Sequence, residues 1–370
     1  MALDILVNIP LGAAIAIAAV FTIPETRGDG LLPGADVDGA LLSAVGFGAL
    51  IFAIIEDPDL GWWSPLGELS IFGWSWPTDF LVSAIPVAFT IALAALVLFV
   101  IWENHRKKVQ RSALLDLELF SFSTFSWGNL TAAMVAVGEF TLIFVLPLYL
   151  INGLALNVMQ AGLVLAAMAG GAFFSGAIAL HIADKFGSAG TVLLGLGIEV
   201  AGALILVFII QGDTPGWLIA IPLAVYGLGL GLASAQLTGT VLRDIPVVNS
   251  GQASATQSTV RQIGSAFGTA IGGATLSVVL ALALPTTLNN VGMAGPATDQ
   301  LAEATRQSAG TAITQLRGQG SASPFGDQTE VIVEALADGL ADATRWSLMV
   351  AVVFLLLGLV GALFLQRAAR

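Results

Sequence analysis

Nine separate stretches of this chain are each apolar and long enough to cross a bilayer, and that count constrains everything else. A transmembrane helix needs about 20 mainly apolar residues at 1.5 Å rise each. Such runs occupy residues 4–24, 39–55, 80–102, 121–150, 159–181, 190–211, 216–240, 257–284 and 346–366. With 56% hydrophobic residues, 10% charged residues and a mean hydropathy of +0.90, most of the surface must have the bilayer as its solvent. The chain reads as an all-α integral membrane protein, and an odd number of spans places its two ends on opposite sides.

Forty-two glycines fit that reading, because small residues let helices approach where no hydrophobic effect drives them together. The absence of cysteine excludes disulfides, thiolate metal sites and cysteine nucleophiles. A net charge of −12 argues against a nucleic-acid partner, although in a membrane protein the location of charges says more than their sum.

Basic residues set the orientation. With the segment after the first span in the cytoplasm, the inside holds Arg27, Arg106, Lys107, Lys108, Arg111, Lys185, Arg243, Arg261, Arg367 and Arg370, ten of the thirteen. Arg306, Arg317 and Arg345 remain outside. The positive-inside rule then gives an external N-terminus and a cytoplasmic C-terminus in a multi-pass protein of the plasma membrane. Met1–Ile23 is not a secretory signal: no basic residue precedes its apolar run, Asp4 and Asn8 interrupt it, and Ile23-Pro24-Glu25-Thr26 is a poor cleavage site. A first helix whose start must reach the outside unaided points to an upstream partner.

Glu56–Thr78 is rich in Trp, Pro and Gly, and Trp62, Trp63, Trp74 and Trp76 suit an interfacial anchor, with a ligand-binding aromatic patch as the alternative. The largest loop spans residues 285–345. Within it, Thr329–Leu340 has the spacing of a short amphipathic helix, and Gly318–Gly326 reads as a flexible linker.

Several ordered motifs resemble one family. Asn8-Ile9-Pro10-Leu11-Gly12 followed by Pro24-Glu25-Thr26-Arg27 is similar to the sixth helix of the fourteen-helix drug:proton antiporters, the EmrB/QacA-type branch of the major facilitator superfamily. Leu114-Leu115-Asp116-Leu117, Leu146-Pro147-Leu148-Tyr149-Leu150, Gln160-Ala161-Gly162-Leu163, Gly251-Gln252-Ala253-Ser254 and Arg261-Gln262-Ile263-Gly264 follow in the family's order. The resemblance implies a partial transporter fold: residues 1–30 as the last helix of an N-terminal bundle, 31–112 as two central linker helices, and 113–370 as a complete C-terminal six-helix bundle. It implies proton-coupled efflux of small hydrophobic or cationic drugs, driven by the proton gradient without a cofactor. The family's five preceding helices are not found here, so the sequence reads as N-terminally truncated. The alternative is a split half-transporter that acts only with an N-terminal partner, and little antiport is expected of the chain alone.

Few residues carry candidate chemistry. Glu139 and Glu199 sit near the middles of the fourth and sixth spans, where a carboxylate costs about 2.5–3.5 kcal/mol to insert, so both are proton-coupling candidates. A protonated glutamate that only fixes packing is the competing reading. Asp184-Lys185-Phe186-Gly187 resembles the second copy of the superfamily's cytoplasmic loop motif, with Leu180 where that motif begins with glycine. Asp184, Lys185 and Gly187 are therefore gating-loop candidates, or a plain turn with solvated charges. Arg261 and Gln262 open the eighth span, and Gly264, Gly268 and Gly272 follow at intervals of four as one smooth packing face. Arg261 pairs either with a carboxylate or with a lipid headgroup, a direct substrate contact being the lesser reading. Pro147 is a candidate conformational position near the end of the fourth span.

Other patterns exclude chemistry. Gly227-Leu228-Gly229-Leu230-Gly231 lies in an apolar helix with no preceding strand and is not a nucleotide loop. His105 and His181 are far apart without carboxylates at ligand spacing, so no metal is expected. The basic His105–Arg111 cluster suits anionic membrane lipid, with a regulatory site as the alternative. No nucleophile–base pair is present, and an enzyme is not expected.

Overall fold

The computed structural model describes residues 8–22, 35–56, 60–71, 74–111, 113–293 and 295–369. Asp4, Pro24, Glu25, Thr26, Arg27 and Arg370 lie outside the described residues, as do the two ends of the expected 4–24 span. Eleven helices are described: α1 Asn8–Thr22, α2 Val37–Ile55, α3 Ala84–Lys108, α4 Ser123–Leu148, α5 Val158–Phe186, α6 Ser188–Ile209, α7 Gly216–Val241, α8 Ser250–Asn290, α9 Pro296–Gln307, α10 Thr311–Gln319 and α11 Thr329–Ala368. Among the described residues, eight helices are long and apolar enough to cross a membrane.

Local signals explain the boundaries. Asp36 caps α2 by accepting from Gly39 N at 2.9 Å, and Ser83 caps α3 through Ile85 N. Asn157 and Gln160 form a reciprocal capping box on α5. Gly187, at φ +73°, ends α5 and starts α6 in a single left-handed step that a side chain would strain. Pro147 withholds an N–H near the end of α4, which passes into a wide turn at Tyr149–Gly153.

Six helices form one bundle. α7 lies between α5 and α6, α11 packs on α4, α6 and α8, and α4 also packs on α8. A row of small residues permits this closeness. A Cβ on Gly227 would strike the Met168 carbonyl of α5, and one on Gly229 would stand 2.5 Å from Glu199 N of α6, so α7 offers its glycines to both neighbours in turn. Gly264 and Gly268 face the carbonyls of Ala133 and Val137 on α4, and the Thr141 hydroxyl donates to Gly268 O at 2.9 Å. The α2–α3 hairpin stands beside this bundle and touches it at α8.

Three expectations about the connections need correction. Residues 285–345, expected as a long loop, are mostly helical: α8 continues to Asn290, α9 and α10 follow, and α11 begins at Thr329. Thr329–Leu340 is therefore not a separate amphipathic helix but the first turns of the last span. Ile332, Leu336 and Leu340 are buried with Leu284, Leu288 and Ile313, and no proline interrupts the segment, so the helix runs on. Gly318–Gly326, expected as a flexible linker, holds a 3₁₀ turn at Gly320–Ala322, and Ser323 bonds to Thr329. Asn152 Nδ2 donates to Ala309 O at 3.1 Å and Arg317 to Gly153 O at 3.1 Å, tying α10 onto the end of the bundle.

The Trp-rich segment is likewise built rather than loose. Leu69–Ile71 (β1) and Trp74–Trp76 (β2) pair antiparallel, and Trp76 Nε1 donates to Val82 O at 3.0 Å. Trp62 packs edge-on against Phe89 of α3, while Trp63 is two-thirds exposed.

Candidate functional site

Glu139 projects from the middle of α4 toward α8, where the Arg261 guanidinium donates to its carboxylate at 3.1 Å. The two ends of this pair differ in solvation: the Glu139 side chain is 9% exposed and that of Arg261 is 49% exposed. They border a cavity of about 140 Å³ between α4, α7 and α8. Its wall is apolar at Ala132, Val135, Ala136 and Leu237, and its rim is polar at Ser234, Thr238, Ser254 and Ser258, all exposed. Gln257, one helical turn before Arg261, is buried in the same wall.

Glu199 lies behind this cavity on α6. It is fully buried, and neither carboxyl oxygen has a hydrogen-bond partner among the described residues. The facing surface of α7 carries Tyr226, whose hydroxyl is also buried without a partner, one turn from Gly229. Both groups lie within electrostatic range of Glu139 and Arg261. The structure thus groups Glu139, Glu199 and Arg261, and adds Tyr226 and Gln257, which the sequence reading did not single out. Gln257 was reachable from its spacing to Arg261. Tyr226 was not, since the partner that makes its position notable comes from another helix.

The remaining candidates stand apart from the cavity or play other parts. Gly264, Gly268 and Gly272 lie against α4 at Ala133, Val137 and Thr141. Gln262 is exposed, and among the described residues its side chain meets only the Ser265 hydroxyl. Pro147 sits two turns beyond Glu139 on α4. The Asp184 and Lys185 side chains are exposed and make no hydrogen bond or ion pair among the described residues, while Gly187 supplies the turn.

A second polar cluster, unforeseen in the sequence, closes the α2–α3 hairpin. Asp36 accepts from Trp102 Nε1 at 2.9 Å and from Leu114 N at 3.3 Å, and Arg106 Nε stands 3.5 Å away. Burial opposes the Asp36 charge, but these hydrogen bonds and the Arg106 cation outweigh it and hold the carboxyl below its usual range. Arg106 therefore belongs to a buried lock, not to a solvated basic cluster. A larger space of about 750 Å³ lies where α6 and α10 end and α11 begins, bordered by Asp213, Glu330, Glu334, Asp338, Asp342, Arg317 and Arg345. Among the described residues no group of three or more His, Asp or Glu is arranged to hold a metal ion.

Comparison with known proteins fits this architecture. The chain is 26% identical over 72% of its length to the methylenomycin A resistance protein of Bacillus subtilis, covering 52% of that protein. It is 25% identical over 75% of its length to the multidrug resistance protein Stp of Mycobacterium tuberculosis, covering 47% of it. It is 28% identical over 72% of its length to a probable actinorhodin transporter of Streptomyces coelicolor, covering 43% of it. The chain thus spans about half the length of the curated relatives it matches. Residues 39–269, from α2 to the cavity-lining half of α8, match the Major Facilitator Superfamily as a whole. On that match, over more than half of its length, the chain belongs to the Major Facilitator Superfamily of membrane transporters.

Proposed function

We propose that this chain works in proton-coupled export of small hydrophobic or cationic compounds across the plasma membrane, as a member of the fourteen-helix drug:proton antiporter branch. One observation carries the reading: Glu139 and Arg261 form a single half-solvated ion pair at the edge of a cavity within the spans. A proton arriving at Glu139 neutralises the carboxylate and frees Arg261. A cationic substrate acts at the same atom, because it competes with the guanidinium for Glu139. Either event exchanges one occupant of the carboxylate for the other, which is the elementary requirement of antiport. Glu199 serves as a deeper acid. An ionised carboxylate without a partner would cost many kcal/mol in such a place, so we infer that its side chain carries a proton at rest.

The polar rim supports a further part of the reading. Exposed serine and threonine beside a charged arginine are poor surfaces for lipid, and substrate paths in transporters of this type run between two bundles. We infer that a second bundle covers this side of α4, α7 and α8, with the C-terminus in the cytoplasm. The relatives' names, for resistance proteins and an antibiotic transporter, support the class of cargo.

The test is pH-driven efflux in vesicles that contain the chain in its working assembly. Glu139→Gln abolishes the dependence of efflux on the proton gradient while the protein still folds. Unchanged gradient-driven efflux in that variant would sink the proton role.

A further inference from the structure

A third buried glutamate lies outside the bundle. Glu103, near the end of α3, is 1% exposed and meets the start of α2. A Cβ on Gly39 would stand 2.6 Å from Asp36 Oδ2 and 2.7 Å from Glu103 Oε1, so the two carboxyl oxygens converge on one point that only a glycine leaves open. Asp36 Oδ2 accepts from Leu114 N at 3.3 Å and Glu103 Oε2 from Leu115 N at 3.2 Å, so consecutive amides of the connection to α4 are divided between the two acids. Glu103 Oε1 is buried without a partner among the described residues.

Two carboxylates that meet in a buried place do not both ionise. Asp36 and Glu103 lie within hydrogen-bonding reach of each other, yet an ionised carboxylate only accepts, so the contact needs a proton. The surroundings decide which acid keeps it. Asp36 caps the N-terminus of α2, where the helix dipole favours an anion, and it has Gly39 N, Trp102 Nε1 and Arg106 besides Leu114 N. Glu103 has the one backbone donor, Leu115 N. The other charges around the pair are turned elsewhere. Asp38 on α2 is exposed, Lys107 on α3 is engaged by Asp116 and Glu118 of the connection at 2.7 and 2.6 Å, and α8 brings the uncharged Gln252 to Ala113 O.

We infer that Asp36 and Glu103 form a proton-binding site outside the bundle, in which Glu103 carries the proton and donates it in a hydrogen bond to the Asp36 carboxylate. Held that way, the pair seats the connection through Leu114 and Leu115 and fixes the hairpin to the start of α4. Loss of the proton sets two like charges in contact and releases that seat. The full purified chain is read by infrared spectroscopy of its carboxyl bands and by hydrogen exchange of residues 113–122. Glu103→Gln, whose amide still donates to Asp36 and accepts from Leu115 N, removes one protonated-carboxyl band and leaves exchange of the connection at its wild-type rate. Asp36→Asn offers Glu103 an amide donor in place of the proton, so the same band is lost there, and this variant is the test if the first fails to fold. A band that survives in the variant that folds, or faster exchange of the connection in folded Glu103→Gln, overturns the site.

Discussion

At the base of the α2–α3 hairpin, Asp36 is held by Gly39 N, Trp102 Nε1, Leu114 N and Arg106, and its side chain is 3% exposed. In the bundle, Glu139 has one partner, an arginine half in solvent, and Glu199 has none among the described residues. Asp36 and the two glutamates are all buried, yet their neighbours give them opposite capacities. A carboxylate with four partners is fixed in one charge state and one geometry, because protonation would forfeit several hydrogen bonds at once. A carboxylate with a single, half-wet partner can exchange it. The first is a fastener, and the second is suited to change state.

The contrast can be broken most severely at the fastener. Asp36→Ala removes one ion-pair partner of the buried Arg106 guanidinium and the acceptor of the Trp102 N–H, and breaking such buried pairs costs about 3–5 kcal/mol. Thermal unfolding should shift down sharply, with the hairpin protons exchanging first. A shift no larger than that of an exposed pair would contradict the fastener. Next in size is Gly229→Ala, which pushes a methyl against Glu199 N and should cost about 1–3 kcal/mol by forcing α6 and α7 apart. Its unfolding midpoint is the readout, and an unchanged midpoint would mean the two helices are less closely held than the structure has them.

On the other side, Glu139→Gln and Glu199→Gln should alter stability by less than about 1 kcal/mol, since one loses only a half-solvated pair and the other keeps a neutral, isosteric group. Large destabilisation by either substitution, measured in the same unfolding assay, would make them structural and erase the contrast. Smallest is the half-buried pair of Lys107 and Asp116. Burial opposes the Asp116 charge, but the hydrogen bonds from Lys107 and Glu118 N and the Lys107 charge outweigh it, so its folded carboxyl titrates below the usual range. Its modest stabilisation is present above the ordinary aspartate value near pH ~4 and is lost as pH falls through the lower folded value. Asp116→Asn should flatten the acid limb of the stability curve slightly and leave neutral pH almost unchanged.

Eight of the nine expected spans were legible in the sequence, because a run of 18 or more apolar residues is longer than an ordinary buried core helix needs and matches the thickness of a bilayer, while the ends of the first expected span lie outside the described residues. Glu139 and Glu199 were legible too, since a carboxylate within such a run stands out against its surroundings. What escaped was anything made by two distant segments. Asp36 looks like an ordinary residue in a cytoplasmic link until α3 returns Trp102 and Arg106 to it, 66 and 70 positions later. Tyr226 was just one more apolar-looking residue until α6 placed Glu199 opposite. The 285–345 segment misled because its polar composition resembles a loop, whereas α9, α10 and the start of α11 bury one face each on the end of the bundle.

Infrared difference spectroscopy during a pH titration of the full chain distinguishes proton-bearing Glu139 and Glu199 from carboxylates that stay ionised. A protonated carboxyl gives its own carbonyl band. One such band is expected to disappear in Glu199→Gln, and a second to respond to pH, to be lost in Glu139→Gln and to shift when Arg261 is replaced by Gln. Spectra unchanged by either glutamate substitution would contradict the account.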